Sequence, residues 1–125
     1  MALQIDIEWP ETGNPVGRRF TVSGSVWDDS EKVVVRAVPA DVECTLTGGG
    51  NTYTNKTTIT LPAAGATVQW EVPLPTGMGQ IATGTYSLTA VLKLATNPPS
   101  DQEDNIQVQA GGPSHPEVQV TIFEE

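Results

Sequence analysis

The chain has 125 residues, enough for one domain with a sizeable core and too few for two ordinary ones. Six Lys plus Arg stand against 15 Asp plus Glu, a formal net charge of −9, and the basic residues are scattered; nucleic acid and anionic membrane surfaces are disfavoured as partners. The lone Cys44 excludes an intrachain disulfide, and no apolar run is long enough to cross a bilayer.

In chain order, Leu3, Ile5, Ile7 and Trp9 alternate with Gln4, Asp6 and Glu8, which predicts a first strand ending at Pro10. Met1 to Ile5 carries neither a basic region nor an apolar stretch of a secretory leader. Residues 10–15 hold turn chemistry, and Phe20, Val22, Gly24 and Val26 then alternate with Thr21, Ser23 and Ser25 in a second strand. Trp27-Asp28-Asp29-Ser30 is expected to close it as a polar loop. The β-branched run from Val33 to Val38 meets Pro39, after which the apolar parity becomes Val42, Cys44, Leu46. A bulge or strand end at the proline accounts for that switch.

Gly48 to Asn51 predicts a tight turn. The Thr-rich stretch Tyr53–Leu61, with Lys56 at its centre, reads as an edge strand. Val68, Trp70, Val72 and Leu74 form the next apolar face. A Gly-containing crossover over residues 75–83 leads to Gly84-Thr85-Tyr86, where Tyr86, Leu88, Ala90, Leu92 and Leu94 share one parity. Residues 95–105 are expected to be a polar loop. Ile106–Gln109 is expected to be a short strand, and Val118, Val120 and Ile122 a final one.

This pattern predicts an all-β domain spanning residues 1–125: an antiparallel β-sandwich of seven to nine strands without helix. Three segments, Ile7-Glu8-Trp9-Pro10 with Gly13, Phe20 to Val26, and Gly84 to Ala90, resemble bacterial immunoglobulin-like domains of the fibronectin type III-like kind. The resemblance implies a tyrosine corner at Tyr86, with the ring inside and the hydroxyl bonded to nearby backbone. It also implies a non-catalytic structural or spacer module, flanked by neighbouring domains, in a larger secreted or cell-surface protein.

The alternative is a binding module. Asp28, Asp29 and Glu31 follow the second strand, and Asp101, Glu103, Asp104 and Asn105 follow the tyrosine strand. Loops at those places emerge at one end of an immunoglobulin-like sandwich. Their oxygens would suit Ca²⁺ if they converged, although neither group has EF-hand spacing. A protein or glycan is the other ligand class for this end, with Trp27 as its aromatic anchor.

The sequence calls for no cofactor and no catalytic residue. His115 sits in a Pro-flanked loop without a nucleophile or orienting carboxylate, and Cys44 lies among apolar positions. Gly77-Met78-Gly79 lacks the further residues that a phosphate cradle needs. Asn55-Lys56-Thr57 is a formal glycosylation sequon.

Overall fold

The computed structural model of the chain describes residues 3–29, 38–94 and 98–115. Among these, eight strands and no helix are formed. They are β1 (Leu3–Trp9), β2 (Pro15–Val16), β3 (Phe20–Asp28), β4 (Pro39–Gly48), β5 (Asn51–Thr60), β6 (Thr67–Leu74), β7 (Gly84–Leu92) and β8 (Ser100–Val108). One sheet has the order β1-β3-β6, and the other has the order β2-β8-β7-β4-β5. All pairings are antiparallel except β2 with β8.

The period-two faces meet between the sheets. Ile5 and Ile7, Val22 and Val26, and Val72 and Leu74 are buried on one side; Cys44, Leu46, Leu88 and Ala90 are buried on the other. Each large apolar side chain taken from water contributes about 1.5–3 kcal/mol, so this interior stabilises the domain without a disulfide. Two glycines exist for close approach. A Cβ on Gly24 would overlap the Asp6 carbonyl oxygen and lie 2.7 Å from Cε2 of Trp70, whose indole lies across β3 at that point. A Cβ on Gly48 would overlap the Thr85 carbonyl and sit 2.9 Å from Cδ2 of Tyr86.

The start of β7 carries the tyrosine geometry. Tyr86 is 3% exposed, and its hydroxyl donates to the Ala82 carbonyl at 2.7 Å. The ring packs edge-on to Tyr53 with centroids 6.1 Å apart.

Ile7 bonds to Asp101, Thr12 to Glu103 and Gln107 to Asn14, so residues 3–16 follow β8 in parallel from its first residues to its last. Leu3 therefore lies at one pole of the molecule and Val108 at the other. Beyond Val108, Ser114 accepts from the Thr21 N–H at 2.8 Å and continues the edge of the smaller sheet where β1 has ended.

Three expectations are corrected. Residues 101–105 are not loop: they belong to β8, and Ile106 to Val108 is the end of the same strand. Trp27 and Asp28 are strand residues rather than loop residues; Asp28 is 1% exposed because it occupies the inward parity at the end of β3 and the 63–66 turn folds over it. Pro15–Val16, inside the expected turn region, forms a short parallel pairing with β8. Pro39 is the first residue of β4, where a missing N–H is tolerated. The run before it over 30–37, and the expected final strand at Val118–Ile122, lie outside the described residues.

Candidate functional site

A groove of about 560 Å³ is built where β1 leaves one sheet and the chain crosses to the other. Asp6, Ile7 and Glu8 of β1, Glu11 and Thr12 of the crossover, and Glu103 of β8 line it. Its acidity follows from the strand pattern. Asp6 and Glu8 are outward residues of β1. Asp101 and Glu103 have the inward parity of β8, yet they sit at an edge where β1 presents unpaired backbone N–H groups. The Asp101 carboxylate accepts from the Ile7 N–H at 2.8 Å. The Glu103 carboxylate accepts from the Thr12 N–H at 2.8 Å and from the Thr12 hydroxyl. These carboxylates serve as strand partners across the seam between the sheets.

Burial holds the Asp6 carboxyl above the usual carboxylate range, reinforced by its hydrogen bond to Asp101 and by the charges of Asp101, Glu8 and Glu103. Further along β8, Asp104 is exposed. Hydrogen bonds from Gln102 at 2.8 Å and Ser87 at 3.0 Å keep its carboxyl low.

Of the eight residues singled out from the sequence, the seven described ones fall into two separate groups. Asp28 pairs with Leu3 at one pole, whereas Asp101 reaches Ile7, four residues further along β1, and Glu103 reaches Thr12 beyond it. That separates the two acidic groups by about 13 Å or more along the strand direction. Asp29 is exposed, and Glu31 lies outside the described residues. Asn105 occupies a β8 bulge with φ of 55°. Trp27 is half-buried on the outer face of β3, between Gln4 and Thr67, not at a loop tip. Among the described residues no group of three His, Cys, Asp or Glu side chains is arranged to hold a metal ion. The groove residues Asp6, Glu8 and Glu11 escaped the sequence reading. Their only signal was that β1 alternates apolar residues with acids.

Other candidates are bound into the structure. Asn55 donates to the Pro73 carbonyl and accepts from the Lys56 N–H, both at 2.8 Å, so both ends of the sequon amide are engaged. Arg19 donates to the carbonyls of Gly77 and Gly79, which clamps the Gly-Met-Gly turn. His115 lines a small groove with Arg19, Thr21 and Pro73. Burial pushes the Cys44 thiol up to about 12.

No protein-family model matches the chain, and no curated protein matches it.

Proposed function

We propose that this chain is an immunoglobulin-like, fibronectin type III-like structural module that acts as a spacer in a larger secreted or cell-surface protein, without catalytic activity. The observation that carries this reading is the path of the chain: β1 begins at one pole and β8 ends at the other. Modules of that geometry join end to end, so each copy adds its full length to a stalk. The three-plus-five strand order and the hydrogen bond from Tyr86 to Ala82 support the sandwich part of the reading. Two copies expressed head to tail test it by small-angle scattering. The maximum dimension is expected to grow by about 30 Å, one strand length, with the melting temperature of a single copy retained. A tandem no longer than one copy overturns the spacer reading.

A second reading rests on the seam groove, whose Asp6, Glu8, Glu11 and Glu103 side chains suit a cationic protein segment. Its test is a melting curve with a soluble lysine-rich peptide at low and high salt. A rise that disappears with salt supports this reading, and superimposable curves remove it.

A further inference from the structure

Among the described residues the edge strands are β1 and β6 of one sheet and β2 and β5 of the other, and on three of them a hydrogen bond from elsewhere in the chain caps the edge. Along β1 the Asp101 carboxylate takes the Ile7 N–H, and a bulge follows between Ile7 and Trp9. The two-residue β2 is followed by Gly17, whose N–H is taken by the Pro113 carbonyl. Along β5 the Thr76 hydroxyl donates to the Thr54 carbonyl at 2.9 Å, the Asn55 side chain takes the Lys56 N–H, and Lys56 is a charge in mid-strand. These are the devices by which sheets avoid pairing with another chain.

Among the described residues no hydrogen bond caps the β6 edge between Thr67 and Val72; its guards are the charge of Glu71 and the proline at Pro73. Its outward-pointing backbone groups can be assigned. Pro73 pairs with Thr21 but has no N–H, and its carbonyl accepts from Asn55, so the backbone of Pro73 points away from β3. Antiparallel ladders alternate, so the N–H and C=O groups of Glu71, Gln69 and Thr67 also point away from β3. The Gln69 side chain does not cover them. With its nitrogen facing acceptors, its amide turns back over β3 to the Gly24 carbonyl at 3.0 Å and to Glu8 at 3.2 Å.

Beside this edge, Thr57, Thr58 and Ile59 of β5 and Gln69, Trp70 and Glu71 of β6 line a groove of about 470 Å³. Trp70 is 3% exposed, and its indole N–H has no hydrogen-bond partner.

We propose that the chain self-associates through β6, with the Thr67–Glu71 edges of two copies pairing antiparallel about a two-fold axis at Gln69. The sequence is self-complementary in that register. Gln69 meets Gln69 of the partner subunit, and Thr67 meets Glu71 of the partner subunit, so no like charges are opposed. Thr67, Gln69 and Glu71 exchange about six N–H···O bonds with the same edge of the second copy. The two three-stranded sheets then run on as one, and the β5–β6 grooves of both copies close over Ile59 and Trp70. A pairing of β5 with β5 would instead lie along an edge already capped and charged.

Sedimentation velocity on the full chain over a wide concentration range tests this, with circular dichroism as the control for folding. The wild type is expected to show a monomer–dimer equilibrium. Gln69→Pro removes one outward donor at the strand parity that Pro73 already occupies, and is expected to leave a folded monomer. Thr67→Glu places two like-charged pairs across the axis and is expected to weaken the dimer roughly tenfold. Adding Glu71→Lys to it restores opposite charges and the dimer. Should Gln69→Pro fail to fold, Thr67→Glu with its rescue decides the matter. A wild type that stays monomeric throughout, or a dimer indifferent to Thr67→Glu, overturns the proposal.

Discussion

The hydroxyl of Tyr86 donates to the carbonyl of Ala82, four residues upstream, while the N–H of the same Ala82 donates to the hydroxyl of Tyr53 at 3.0 Å. One peptide segment is thus held from both sides by two tyrosines whose rings touch. This ties the 75–83 crossover to β5 and β7. Tyr86→Phe removes one of these bonds and keeps the ring, so it is expected to cost about 1 kcal/mol in urea unfolding. Tyr53→Phe is expected to cost a similar amount. Because both act on Ala82, the double variant is expected to depart from additivity; strict additivity contradicts a shared clamp.

Gly24→Ala is expected to be among the most damaging single-methyl additions in the domain. The new Cβ overlaps the Asp6 carbonyl and the Trp70 ring, and neither can retreat within a paired sheet. The expected cost is about 3 kcal/mol, read by urea unfolding together with a changed tryptophan emission. A variant as stable as wild type would show that Trp70 does not lie across β3.

The acidic seam gives a pH dependence of defined sign. Asp6 titrates above the usual carboxylate range in the folded chain because of burial, the Asp101 hydrogen bond and neighbouring charge. The folded state then keeps its proton after the unfolded chain has lost its own. Stability from this group is full below the ordinary Asp range and is lost as pH rises through the folded value. Asp6→Asn removes that loss, so its melting temperature is expected to exceed wild type by a few degrees at pH 7. The two curves are expected to converge near about pH 3. Asp41 and Asp104, held low by hydrogen bonds from Thr58 and Gln102, act in the opposite direction but equally in both proteins. A constant offset at both pH values contradicts the assignment.

Cys44 is fully buried and its thiol is pushed up to about 12. A thiol reagent at pH 8 is expected to leave the folded chain unlabelled and to label one site per chain in concentrated guanidinium. Its slow reaction under native conditions is expected to follow the opening of the core strands β4 and β7. Prompt labelling of the folded chain contradicts the packing.

The clean apolar alternations of β1, β3, β6 and β7 were legible in the sequence because each buries one face. β8 was not. Asp101 and Glu103 hold its inward parity at a seam where backbone N–H groups need acceptors, and the bulge at Asn105 then shifts the inward set to Ile106 and Val108. Carboxylates on the inner parity followed by a parity switch look like a loop when no partner is in view. The groove was hidden for a related reason. Its walls come from β1 and β8, and the bond from Ile7 to Asp101 joins residues 94 positions apart. Tyr86 was readable because its partner, Ala82, is local.

The spacer reading rests on Leu3 of β1 lying at one pole of the molecule and Val108 of β8 at the other. Spin labels at Gln4→Cys and Gln109→Cys, in a Cys44→Ala background shown to fold, measure that separation by pulsed electron–electron resonance. A single distance population centred near about 30 Å or longer is expected from the strand rise along β8. A population below about 15 Å would put both labelled positions at one pole and contradict the account.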